Sequence, residues 1–267
     1  MPRHQFSSRT LCYYCGKPPP SSKEHVPPKT MFIDFECDRI TVPSCDEHNT
    51  ERTQDDAALA AALQMTAYWA YKNVPSSPRL TPNVAKALER AESNFHRTKR
   101  SVQDRPFLDE PIPGLNSDLP FIAPTVKINA WIRQVTAGLV WNITGEYDSL
   151  VDWNSVEVIC PTFKPGHGPL TRSDAIQWAD DSAVLTQQLN NAADWYFGWS
   201  ARKRPYPRDI YCFDVGINHG TSGNPDTTIT FRHRFYNGAS TWYATVQASE
   251  KMYRAIIKVA RVVVPPV

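Results

Sequence analysis

No stretch of this 267-residue chain approaches the roughly 20 consecutive apolar residues that a membrane helix requires, so no membrane-spanning protein is expected. An excess of one charge is missing too: 29 basic residues face 27 acidic ones, a formal +2 that argues neither for nor against a polyanionic partner. Cysteine is scarce, with six residues in the whole chain, which excludes a disulfide-stapled miniprotein. The opening residues, MPRHQFSSRTLCYYCG, hold no apolar run that would serve as the core of a secretion signal, and a reducing, cytoplasmic compartment is the expectation. Internal repeats and low-complexity tracts are also lacking. What is present, 41% hydrophobic and 21% charged residues, is the composition of a globular protein with length for one large or two modest domains.

Composition divides the chain into four segments. Residues 1–60 are turn-rich and carry four of the six cysteines, Cys12, Cys15, Cys37 and Cys45, but little core of their own. A helical run rich in alanine and aromatics follows from about Thr53 to Lys72 and is expected to pack under that first segment. Within 61–105, Thr81 and Pro82 read as the cap and first residue of a second helix, NVAKALERAESNFHRTKR. Val84, Leu88, Ala91 and Phe95 share one face of it, while Lys86, Arg90, Arg97 and Arg100 form a basic stripe on the other. That stripe suits a DNA backbone, and it equally suits an ordinary solvated helix face. Residues 106–124, with recurrent proline, read as an extended connector.

The last segment, 125–267, opens with a helix whose buried face is marked by Ile128, Ile132, Val135 and Leu139 and whose stop is Gly145. A strand in SVEVICPTF and a helix from Ser173 to Trp195 are expected next, then three strands in DIYCFDVGIN, TTITFRHRF and STWYATVQA. The fold class is therefore α+β, with an antiparallel meander packed on helices. In FRHRF, strand alternation sets Arg232 and Arg234 on one face, where they would be available to DNA. Arg202, Lys203 and Arg204 beside Tyr206 make a second basic cluster, and the GHG around His167 reads as a turn.

The chemistry concentrates near the start. Cys12-x-x-Cys15 followed by Gly16 is a knuckle that aims two thiolates at one metal, and Cys45-x-x-His48 repeats the spacing. Together they match a closed tetrahedral structural zinc site, which would supply the folding energy that this core-poor segment lacks. Cys37 has no partner at knuckle spacing. Between the knuckles, Glu24 directly precedes His25 in a short strand ahead of Pro27 and Pro28, and Asn49 directly follows the second knuckle.

The order Cys-x-x-Cys-Gly, Glu-His-Val-Pro-Pro and Cys-x-x-His-Asn resembles the zinc-bearing branch of the HNH, or ββα-metal, endonucleases over about residues 10–60. The resemblance implies a zinc-braced β-hairpin and helix with one divalent cation, Mg²⁺ or Mn²⁺, held between them. It makes His25 the general base that activates water against a DNA phosphate, Glu24 a ligand of that cation, and Asn49 a further ligand or a brace of the loop. Two departures accompany it: His48 stands where a fourth cysteine is usual, and Glu24 stands where an aspartate is commoner. The family's helix-borne ligand has no obvious counterpart; Asp55 and Asp56 are the nearest candidates, and both also suit the acidic first turn of a helix. The expected activity is phosphodiester hydrolysis on double-stranded DNA. The alternatives are a zinc-ribbon nucleic-acid-binding module without cleavage, or a defence or toxin effector. Oligomeric state is left open, a homodimer included.

Overall fold

From Ser22 the side chains alternate between partly exposed and buried, and Ser22–Val26 accordingly forms a strand, β1, with Glu24 and Val26 on its inner face. It pairs antiparallel with β2, Ile40–Ser44, in unbroken register from Ser22 opposite Ser44 to Val26 opposite Ile40. The chain leaves β1 through Pro27, whose peptide bond with Val26 is cis, and a 3-10 turn at Lys29–Phe32 buries Met31 and Phe32. Helical residues 46–49 follow β2 directly. The computed structural model describes residues 10–18, 22–32, 35, 37–49, 56, 59–60, 63–64, 67, 81–87, 125–159, 184–191, 193–197, 207–218, 228–238 and 240–263.

Within the expected helix over 53–72, the described residues are helical and place Leu59, Ala60, Leu63 and Ala67 in the core. The expected cap at Thr81 is present: its Oγ1 accepts from the N–H of Val84 at 3.2 Å and donates to Asp209 Oδ2 at 2.6 Å. Helical residues 82–87 follow, with Val84 buried.

The longest helix described, α1, spans Thr125–Thr144. Its four expected core positions, Ile128, Ile132, Val135 and Leu139, are all buried, and Gly145 ends it at a φ of +80° while donating to the Trp141 carbonyl at 2.7 Å. On one side α1 meets the ribbon, where Gly138 touches Val26; on the other, Thr136 reaches the large sheet. That sheet is five-stranded and antiparallel, in the order β3-β7-β6-β5-β4. Its strands are β3, Glu157–Ile159; β4, Ala193–Phe197; β5, Tyr211–Asn218; β6, Thr228–Phe235; and β7, Ser240–Gln247. The three long strands coincide with the three expected runs.

Two differences from the sequence expectation stand out. The helix drawn to Trp195 ends at residue 191, and Trp195 lies in β4, because edge pairing with β5 sets Trp195 opposite Gly216, where no side chain competes for its ring. A final helix, α2, Glu250–Val263, is not among the elements expected from sequence; among its described side chains Met252 and Ile256 are buried, and Ser249 caps it by accepting from the N–H of Met252. A single hydrophobic cluster runs from Cys12 through α1 to Ile256, so the cysteine-bearing segment shares its core with the sheet. The architecture is mixed α+β. Among the described residues, no helix is long and apolar enough to cross a membrane.

Candidate metal centre and the adjacent histidine

The first knuckle is a tight turn. Gly16, at a φ of +67°, donates to the Cys12 carbonyl at 3.0 Å, and Cys12 donates to that of Lys17 at 3.1 Å. A side chain at residue 16 would also meet the ring of Tyr147, which lies 2.5 Å from the position of a Cβ. The Tyr13 N–H donates to the Pro43 carbonyl at 2.9 Å and ties the turn to β2, which delivers Cys45. One helical turn later comes His48, with its ring centroid 5.0 Å from that of Tyr14.

These elements bring Cys12, Cys15, Cys45 and His48 together with their ligand atoms all within 4.8 Å of one another. Cys15 and Cys45 sulfurs are 3.8 Å apart, and His48 Nδ1 lies 3.1 Å from Cys45 Sγ and 3.9 Å from Cys12 Sγ. A tetrahedron with metal–sulfur bonds of about 2.3 Å has edges of about 3.8 Å, so the spacing fits one zinc ion. The thiols are free of disulfides. Burial raises the Cys12 thiol, but the His48 imidazole and the backbone N–H groups around it outweigh that and bring it down to about 6. Cys15 is pushed up to about 12 by burial and by the neighbouring Cys12 sulfur. A bound dication would favour the thiolate form of both. Lys17 and Glu47 pair at 2.5 Å on the exposed rim.

Glu24 and His25 occupy opposite faces of β1, because the register runs through them without a bulge. Glu24 is 5% exposed, on the face toward α1. His25 is half-buried on the other face, and its Nδ1 is buried with no hydrogen-bond partner. Burial first, then the charges of Arg39 and Lys29, hold its imidazole below the ordinary histidine range. These two cations were not singled out from sequence. Their signal was there only once the register was known: Arg39 precedes by two positions Thr41, the partner of His25. The Arg39 Nε is buried without a partner, and its Nη2 approaches the Phe32 carbonyl at 3.5 Å.

Asn49 lies inside the helical turn that carries His48, its N–H bonded to the Cys45 carbonyl at 3.0 Å. Asp56 is helical and its Oδ1 accepts from the indole N–H of Trp131 at 3.1 Å, a tie between that helix and α1. As donor types, the Glu24 carboxylate and the Asn49 amide oxygen suit a hard cation, which commonly relies on one or two carboxylates plus phosphate oxygens and water. Among the described residues, the Cys12, Cys15, Cys45 and His48 cluster is the one group of three or more metal-type ligands.

Comparison with known proteins gave no match: no protein-family model, no curated protein and no solved structure is similar to this chain at a significant level.

Of the basic stripe, Lys86 is described and exposed, whereas Arg90, Arg97 and Arg100 lie outside the described residues, as do Asp55, His167 and the cluster at 202–204. Arg232 and Arg234 share one sheet face, as alternation required, and both bond Asp214 on the adjacent strand.

Proposed function

We propose that the protein is a metal-dependent endonuclease in which a zinc-braced ββα-metal module, built from β1, β2 and the helix after them, hydrolyses DNA phosphodiester bonds. The observation that carries the reading is His25. It is an imidazole held below the ordinary histidine range by burial and by Arg39 and Lys29, on a ribbon whose second strand leads into a cluster that fits zinc. A neutral imidazole at working pH is what a general base requires, and the same two cations that depress its protonation attract a phosphate diester.

In this reading His25 takes the proton from the attacking water. Arg39 and Lys29 hold the non-bridging phosphate oxygens on the outer face of the ribbon. Glu24 and Asn49 are the residues that the resemblance offers for a Mg²⁺ or Mn²⁺ ion, which would supply Lewis-acid stabilisation of charge on the phosphate and leaving oxygens. Glu24, however, is 5% exposed on the face of β1 opposite His25, so in this structure it does not face a phosphate held beside His25. The zinc cluster fixes the ribbon and contributes no chemistry of its own. Lys86, exposed on its helix, offers a further phosphate contact.

The test is nicking of supercoiled plasmid by the full chain with Mg²⁺ or Mn²⁺. His25→Ala should lower the rate by roughly 10²–10⁴-fold while leaving bound zinc unchanged. Equal cleavage by the variant rejects His25 as the base. A zinc-loaded wild type that retains plasmid in a gel shift yet never cuts it is instead a zinc-ribbon binding module.

A further inference from the structure

The face of the five-stranded sheet turned away from α1 carries a charge imbalance that the nuclease reading does not use. Asp214 on β5 has a side chain only 4% exposed, and two arginines from β6 converge on it. Arg232 donates to it through Nε at 2.8 Å and through Nη2 at 2.6 Å. The rest of Arg232 is committed as well: Nη1 donates to Asn190 Oδ1 at 2.6 Å, and the guanidinium carbon lies 4.3 Å from the centroid of the Trp195 ring. Tyr243 donates to the same Asn190 oxygen at 3.1 Å, so that oxygen accepts twice.

Arg234 is different. Its Nη2 reaches the two Asp214 oxygens at 3.2 Å and 3.1 Å, while its Nε is buried with no partner. Its side chain is 36% exposed. Among the described residues, two guanidinium groups on one carboxylate leave one positive charge over; Arg232 is 18% exposed and Arg234 36%, so the surplus sits at the more accessible end of Arg234. Cys212, directly across from Arg234 on β5, does not offset it: burial keeps that thiol protonated. A guanidinium held in orientation by a buried carboxylate, partly desolvated and with donors unused, has lost much of the entropy and hydration that an exposed arginine gives up on binding.

We propose that this face is an oxyanion-binding site centred on Arg234, which takes a phosphate or carboxylate group on its free guanidinium edge while Asp214 and Arg232 hold it in place. The site lies on the large sheet and stands apart from the His25 chemistry, so neither reading depends on the other.

The experiment follows the arginine Nε–H resonances of the ¹⁵N-labelled full chain during titration at constant ionic strength, with inorganic phosphate in one arm and acetate in the other. Arg234 is assigned by the peak lost in Arg234→Lys. A saturable shift of that peak at millimolar anion is expected. It should persist in His25→Ala and vanish, with the binding heat, in Arg234→Lys. Phosphate alone acting identifies a phosphate site, and acetate acting equally identifies a carboxylate site. An Arg234 peak unmoved in both arms of the wild-type titration overturns the proposal. Undiminished binding heat in a folded Arg234→Lys overturns it as well.

Discussion

His233 lies between the two arginines and has the opposite fate, because alternation turns it into the core, where it is fully buried. Its protonation state follows from its neighbours. Thr136 spends its one hydroxyl proton on the Ile132 carbonyl at 2.8 Å, so it accepts from His233 Nε2–H at 3.0 Å. Nδ1 is then the acceptor for the Tyr211 hydroxyl, also at 3.0 Å. Burial pushes the imidazole from its ordinary 6.5 down to about 3. Between those values the unfolded chain binds a proton that the folded chain refuses. Stability is therefore unaffected above the upper value and falls as pH drops below it, by about 1.4 kcal/mol per unit and about 2 kcal/mol by pH 5. Gln can replace both hydrogen bonds and cannot titrate. Urea unfolding at pH 7 and pH 5 should show His233→Gln losing about 2 kcal/mol less than wild type on acidification. The zinc ligands are common to both proteins, so equal losses would mean that His233 does not titrate on unfolding.

At the scale of elements, the crossing of α1 over β1 hinges on Gly138. A Cβ there would lie 2.5 Å from Val26 Cγ2 and 2.9 Å from Cγ1. Alanine gains about 1 kcal/mol of helix propensity over glycine, but overpacking against a stiff β-branched side chain costs about 1–3 kcal/mol, and the clash wins. Gly138→Ala should lower unfolding free energy in the wild-type background and raise it in a Val26→Ala background, as measured in urea. Stabilisation in both backgrounds would show that the helix and ribbon do not pack this closely. This contact also marks what sequence could tell. The periodicity of Ile128, Ile132, Val135 and Leu139 and the alternation in the three long strands were legible because each reports on its own element. The same was true of the Cys12, Cys15, Cys45 and His48 spacings, which report two local turns. Arg39 beside His25, Asp56 on Trp131 and Asp214 between two arginines were not legible, since each depends on register or on the docking of distant elements. The end of the helix before Trp195 was missed for the same reason: its residues become a strand only because β5 offers an edge.

For the whole molecule, the decisive fact is that Cys12 is both a member of the metal cluster and a fully buried residue of the common core, adjoining Tyr13 at 1% exposure. The ribbon cannot loosen without exposing one side of α1, and the other side of α1 holds the sheet through Thr136 and Trp131, whose ring packs 5.8 Å from that of Phe235. Metal binding to the folded cluster stabilises by mass action, and the free energy of a structural zinc site, on the order of 10 kcal/mol, is large against the 5–15 kcal/mol of a typical fold. With one shared core, that stabilisation is felt by the sheet as well as by the ribbon. A strong zinc chelator should therefore lower a single thermal transition, with the near-ultraviolet signal of the buried Trp131, Trp153 and Trp242 lost together with the far-ultraviolet signal. Cys45→Ser should reproduce the shift without chelator. Two separate transitions, the upper one insensitive to chelator, would mean that the large sheet stands without the metal centre, and the shared hydrophobic cluster would then be too weak to couple them.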